Sequence, residues 1–153
     1  MIDPHPPVAQ ATAAQRVELA AHHGLELHAD SVRFNEAGLD YRVAFARAAD
    51  GTEWVLRLPR RPDVSAKLAE EQRILEFVAP RLSVAVPSWR VCSERLVAYP
   101  RLPGAPGLTL DASGQPQWHF DPSSPEFAAA LGRLIAELHA LDGDAAAKAG
   151  VPA

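Results

Sequence analysis

The 153-residue chain is predicted to fold as an α+β protein: an antiparallel sheet with a packed helix, a stiff connector, and the opening of a helical segment. Three observations carry that expectation. Strand-like runs over 41–46 and 53–58 flank Asp50-Gly51, a dipeptide whose glycine supplies the positive φ of a tight hairpin. The stretch 99–107, Tyr-Pro-Arg-Leu-Pro-Gly-Ala-Pro-Gly, holds three prolines and two glycines in nine residues, the composition of an extended linker. Beyond it, Leu131, Leu134, Ile135, Leu138 and Leu141 recur at helical spacing on one face.

The elements follow in order. Residues 1–11 hold three prolines and no periodicity, so they are expected to be loose. Thr12 followed by Gln15 is a capping-box pattern, and Gly24 stands where a glycine ends a helix, with Val17, Ala20 and Ala21 between them as an apolar stripe. A strand over 32–34 leads into the polar loop 35–40 and the hairpin described above, whose return strand stops at Pro59. A helix is expected over 64–78, with Leu68, Glu71, Leu75 and Val78 on one face. Strands over 89–92 and 96–99 then pair across Ser93-Glu94-Arg95. After the linker, 108–111 and 117–120 form a small hairpin around Ser113-Gly114, and Ser124 with Pro125 opens the last long helix, ending at Gly143.

Composition excludes several classes. Fifteen Lys and Arg against nineteen Asp and Glu give a net charge of -4, which argues against a non-specific nucleic-acid binder. No apolar run approaches the roughly 18 to 20 residues of a membrane span, so no membrane partner is expected. The N-terminus lacks the basic and apolar regions of a signal peptide, which reads as a cytoplasmic chain. The basic set is 13 Arg to 2 Lys, and alanine occurs 29 times. That bias is the signature of a GC-rich coding sequence and weakens the weight of any single Arg-for-Lys exchange. The lone Cys92, flanked by Val91 and Leu96, reads as a small buried apolar residue. The six histidines show no metal-ligand spacing, and His139 among apolar neighbours reads as packing.

Five segments resemble the macrolide 2′-phosphotransferases, within the aminoglycoside-phosphotransferase branch of the kinase-like superfamily. They are Phe34-Asn35-Glu36-Ala37-Gly38-Leu39-Asp40-Tyr41-Arg42-Val43-Ala44-Phe45, Trp54-Val55-Leu56-Arg57-Leu58-Pro59-Arg60-Arg61-Pro62-Asp63-Val64, Val84-Ala85-Val86-Pro87, Leu96-Val97-Ala98-Tyr99-Pro100-Arg101-Leu102-Pro103-Gly104 and Ala136-Glu137-Leu138-His139-Ala140-Leu141. The likeness spans roughly residues 13–153. It implies a kinase-like small lobe of five antiparallel strands plus a helix over 12–98, a hinge over 99–107, and the beginning of a helical large lobe over 108–153. It also implies transfer of the γ-phosphate of GTP, or of ATP, to the desosamine 2′-hydroxyl of a macrolide antibiotic, which confers resistance, with Mg2+ assisting.

Phosphoryl transfer asks a protein for charge neutralisation and in-line positioning rather than covalent chemistry. On the resemblance, Arg57 occupies the third-strand position of the phosphate-gripping cation, where many relatives carry Lys. A guanidinium binds oxygens bidentately, so the exchange is workable but geometrically different. Glu71 matches the helix glutamate that steers that cation; Glu70 points about 100° away. The loop 35–40 would cover the phosphates through backbone amides at Gly38, Leu39 and Asp40, since its acidic side chains repel phosphate. The base would contact the hinge amides of Tyr99, Arg101 and Leu102, because prolines offer no N–H, with Phe34, Val43 and Val55 as apolar walls. The bland alternatives are a surface ion pair, an ordinary hairpin loop and plain core.

No catalytic residue and no metal ligand is expected within the chain. The family's His-Gly-Asp base loop and its metal-binding aspartate belong to the large lobe, and Leu141-Asp142-Gly143-Asp144 lacks that context. The chain alone is therefore expected to be inactive and to bind nucleotide weakly or undetectably. The apolar stripe of the last long helix is expected to self-associate or borrow a partner. Two alternatives stay open: another small-molecule kinase of the same family, such as one acting on aminoglycosides, and a non-catalytic nucleotide-binding or interaction module.

Overall fold

A computed structural model of the chain describes residues 12–35 and 38–152; the expectation for 1–11 lies outside them. The elements run α1 (Ala13–Ala21), β1 (Leu27–Asn35), β2 (Tyr41–Ala48), β3 (Glu53–Pro59), α2 (Pro62–Ser65), α3 (Leu68–Val78), β4 (Val91–Ser93), β5 (Leu96–Pro100), β6 (Leu108–Leu110), β7 (Pro116–Trp118), α4 (Pro125–His139) and α5 (Gly143–Lys148). They divide into two compact units. The first holds the described residues up to Leu68 plus Trp89–Arg101; the second holds Ala69–Ser88 and everything from Leu102 on.

The first unit is a five-stranded antiparallel sheet in the order β1-β2-β3-β5-β4, the sheet of a kinase-like small lobe. Opposed residues of an antiparallel pair point to the same face, so register sorts the side chains. Phe34, Ala44, Leu56 and Ala98 form one row. With Ala20 and Leu96 they build the core on the α1 side, where Leu56 and Leu96 are fully buried and Phe34 packs against the rest. Each such leucine stabilises the unit by about 1.5–3 kcal/mol relative to exposure. The capping box at α1 is formed: Thr12 N–H donates to Gln15 Oε1 at 2.8 Å, and Gln15 N–H to Thr12 Oγ1 at 3.4 Å. At the β2–β3 turn, Gly51 has φ +85°, and the Asp50 carboxylate accepts the Thr52 amide at 2.9 Å, which lowers its pKa.

The first strand is longer than the expected 32–34. Leu27 and His28 already pair with Ala48 and Arg47, and a bulge separates them from the pairing of 33–35. Ser31 makes the bulge tolerable: its hydroxyl donates to the His28 carbonyl at 2.6 Å and accepts the Arg47 amide at 2.8 Å.

In the second unit, β6 and β7 form the expected hairpin, with Gly114 at φ +79°. Asp111 Oδ1 accepts the amides of Ser113 and Gln115 and the Ser113 hydroxyl, at 2.7–2.9 Å. Ser124 caps α4 by accepting the Phe127 amide. Glu137 on α4 accepts the Ser83 amide at 2.8 Å and the Ser83 hydroxyl at 2.6 Å; these bonds, hydroxyl first, lower its pKa. Phe120 packs on Phe127 at 4.6 Å between centroids and edge-on to Trp118 at 5.6 Å. No described helix is long and apolar enough to cross a membrane.

Three expectations are corrected. The helix over 64–78 is two: Pro62 starts α2, and a turn at 66–67, with Lys67 N–H donating to the Val64 carbonyl at 3.2 Å, lets both Val64 and Leu68 turn inward. Cys92 is exposed, because Val91 takes the inward position and strand alternation turns Cys92 to the other face of an edge strand. His139 is exposed in the last turn of α4, where a basic group suits the helix dipole. The stripe around it is exposed as well, with Leu131, Ile135 and Leu138 each above 40%.

Candidate functional site

The sheet's other face collects the chemistry. Val43, Arg57 and Val97 form one row across it, and Phe45, Val55 and Tyr99 the next. Four of the residues singled out from the sequence, Val43, Val55, Arg57 and Tyr99, are therefore brought onto one surface by register alone. Phe34 is not among them. It pairs with Ala44 and belongs to the opposite, core-side face, so it cannot wall the same site. Glu71 lies in the first turn of α3, and it and Leu102 belong to the second unit.

Arg57 is flanked by aromatic rings. Its guanidinium carbon lies 3.9 Å from the Tyr41 centroid and 5.7 Å from that of Trp89, both within cation–π range. Neither ring was singled out from the sequence; a two-residue offset between facing strands was the only signal for Tyr41, and nothing local pointed to Trp89.

One row further along, Glu53 gathers three arginines. Arg101 Nη1 donates to it at 2.8 Å, Arg33 Nη2 at 3.2 Å, and Arg47 Nη2 stands at 3.9 Å. The Arg101 hydrogen bond, then its charge and the Arg33 bond, hold the Glu53 carboxyl below the usual glutamate value. The Arg101 amide is also committed, donating to the Glu53 carbonyl at 2.8 Å. Arg101 therefore ends the β3–β5 ladder instead of offering its N–H, which corrects its expected role. The same alternation makes Tyr99 and Val55 an exchanging pair within that ladder, so the Tyr99 amide faces Val55 as well. Leu102 is the first expected hinge amide beyond the ladder.

The described limb of the polar loop, 38–40, is tied down at its strand end. The Asp40 carbonyl accepts the Arg60 amide at 2.9 Å, and the Asp40 carboxylate accepts Arg61 Nη2 at 2.9 Å. Arg61 also reaches Asp63, its Nε at 3.0 Å and Nη2 at 3.2 Å. Hydrogen bonds to Asp63 and then Asp40 raise the Arg61 pKa, and Arg61 lowers that of Asp63. Gly38 fits because it has no side chain: a Cβ there would stand 2.6 Å from the Tyr41 carbonyl oxygen. Beside Arg60 and Arg61 opens a shallow cleft of 420 Å³, with the Glu94-Arg95 turn across from it. Leu39 is almost fully exposed. Among the described residues no group of three or more His, Cys, Asp or Glu side chains could hold a metal ion.

Comparison with known proteins places this geometry. The phosphotransferase enzyme family model, APH, matches residues 31–153. The chain is 54% identical to the apoenzyme of macrolide 2'-phosphotransferase MphH from Brachybacterium faecium, with a TM-score of 0.85 over 90% of this chain and 46% of that one. It is 43% identical to a macrolide 2'-phosphotransferase type I, with a TM-score of 0.80 over 95% of this chain and 48% of that one. The GDP complex of aminoglycoside 2'-phosphotransferase-IIIa, at 21% identity and a TM-score of 0.65, shares the fold over 91% of this chain and 45% of that one. Among curated proteins, the uncharacterized protein YcbJ of Bacillus subtilis (strain 168) is 38% identical over 138 residues, 88% of this chain and 45% of YcbJ. The chain thus spans about half the length of the relatives it matches. Sheet order and the family match over residues 31–153 agree: the chain belongs to the phosphotransferase enzyme family.

Proposed function

We propose that the chain is the N-terminal, nucleotide-binding part of a cytoplasmic macrolide kinase that moves the γ-phosphate of GTP or ATP to a macrolide 2′-hydroxyl and so confers resistance. The observation that carries this reading is identity of 54% and 43% to macrolide 2'-phosphotransferases along nearly the whole chain. Its domains would be a small lobe over 12–98, a hinge over 99–107 and the start of a large lobe from 108. Arg57 would neutralise phosphate charge with Glu71 steering it, the 38–40 backbone would approach the phosphates, and Val43 and Val55 would face the base. Solved relatives of the same fold carry GDP or ATP, which supports a purine nucleotide as donor. On this reading the aspartate base and the Mg2+ ligands would belong to the large lobe, outside these residues. Without them nucleophile orientation and charge neutralisation both fail, so the chain alone should be inactive.

A susceptibility test separates this from a kinase of another antibiotic and from a non-catalytic module. The reading frame extended past residue 153 is expected to raise the macrolide tolerance of a sensitive host and leave aminoglycoside tolerance unchanged, while the 153-codon version raises neither. Aminoglycoside tolerance alone would move the substrate; tolerance from neither version would leave the module reading.

A further inference from the structure

The cation on β3 is an arginine held between rings, and that arrangement has consequences of its own. Tyr41 pairs with Pro59, two residues beyond Arg57 on the same face, so it is the diagonal cross-strand neighbour, within reach of a long side chain. Trp89 comes from the opposite side of β3, on the backbone entering β4, where the next amide, Arg90, donates to the Ala98 carbonyl at 2.8 Å. The indole N–H of Trp89 is buried with no acceptor among the described residues, so no hydrogen bond there fixes the ring; it is positioned by packing and by the guanidinium at 5.7 Å.

The geometry points to Tyr41 and Trp89 as positioning residues that fix the plane of the Arg57 guanidinium for phosphate oxygens. The inference rests on the reading of Arg57 as the phosphate-gripping cation. Stacking uses the faces of the guanidinium and leaves its in-plane N–H fork for hydrogen bonding. A long side chain ordered before the ligand arrives loses less freedom on binding. Lysine carries a compact point charge with no plane to stack. The rings therefore give arginine on this strand a physical reason, beyond the coding bias that favours it across the chain.

The test uses the ¹⁵N-labelled 153-residue chain and needs no catalysis. The Arg57 Nε–H resonance is expected upfield of exposed arginines because of the Tyr41 ring current. Tyr41→Leu should return it to the exposed range, Tyr41→Phe should barely move it, and Arg57→Lys should shift the Trp89 indole resonance. GTP is then titrated into the millimolar range, where weak binding is measurable. The Kd should rise about 3- to 10-fold in Tyr41→Leu, Trp89→Leu and Arg57→Lys, and less than about twofold in Tyr41→Phe. Urea midpoints and amide spectra identify any variant that loses its fold, and the two phenylalanine variants, Tyr41→Phe and Trp89→Phe, keep a ring at each position. An Arg57 resonance unmoved by Tyr41→Leu overturns the stack. Leucine variants that bind GTP as the wild type does overturn the positioning role. A wild type whose GTP-dependent shifts appear elsewhere on the sheet but spare Arg57 overturns the phosphate-gripping reading itself, and the positioning role with it, while the resonance arm reports whether the stack exists whatever the affinity.

Discussion

Replacing Gly38 by alanine probes the loop limb that packs against the Tyr41 backbone. Gly38 does not have a positive φ, so the argument is one of space. The new Cβ would meet the Tyr41 carbonyl oxygen at 2.6 Å, where ordinary contact begins at 3.4 Å, so the limb must open by about 0.8 Å. Neither side yields freely. Tyr41 is in register with Pro59 on β3, and Asp40 is held by the Arg60 amide and the Arg61 side chain. Overpacking of this kind costs about 1–3 kcal/mol, and an exposed limb belongs at the lower end. At about 1 kcal/mol, and a urea m-value near 2 kcal/mol/M, the midpoint should fall by about 0.5 M. Amide shifts should concentrate at Asp40, Tyr41 and Arg60. Gly132→Ala supplies the opposite sign: a Cβ there meets nothing within 4 Å inside α4, so it should stabilise by about 0.5–1 kcal/mol. A Gly38→Ala chain with wild-type midpoint and unmoved Tyr41 and Arg60 amides would show that the close approach constrains nothing.

Leu56→Ala, at a fully buried position, should cost about 2–5 kcal/mol in urea unfolding. Because the arginines lower the Glu53 pKa, its contribution is complete above the unfolded glutamate value of about 4.3 and is lost as pH falls through the lower folded value. The Tm advantage of wild type over Glu53→Gln should therefore be constant at neutral pH and shrink only in acid; an advantage that instead grew on acidification would refute the ion-pair assignment. The exposed stripe of α4 should drive self-association, seen by light scattering and relieved by Ile135→Glu; a clean monomer at high concentration argues against it.

The hairpin at Asp50-Gly51, both helix caps and the α4 stripe were legible because each rests on neighbours within a few residues, whereas the five-stranded sheet was expected only from the family resemblance, since β3 and β5 pair across 40 or more residues. What resisted reading depends on register or on distant groups. Phe34 looked like a site wall because it is apolar and close to the loop, but the pairing of Phe34 with Ala44 sends it to the core face. Arg101 looked like a hinge donor because of its position after Pro100, whereas Glu53, 48 residues earlier, takes both its amide and its side chain. Trp89 and Arg57 meet only once the sheet has assembled. Cys92 was misjudged by hydrophobic neighbours in sequence, since an edge strand alternates faces with each residue. The helix break at 66–67 escaped notice because Val64 and Leu68 fit one continuous helical stripe as well as two short ones.

The most direct measurement is mass spectrometry of a macrolide incubated with GTP, Mg2+ and either the 153-residue chain or the protein from the reading frame extended beyond it. The extended protein is expected to add the mass of one phosphate at the 2′-hydroxyl, and Arg57→Ala in it to slow that addition severely, while the 153-residue chain adds nothing. A macrolide left unmodified by the extended protein, or phosphorylated by the 153 residues alone, would contradict the assignment of this chain as the nucleotide-binding half of a macrolide kinase.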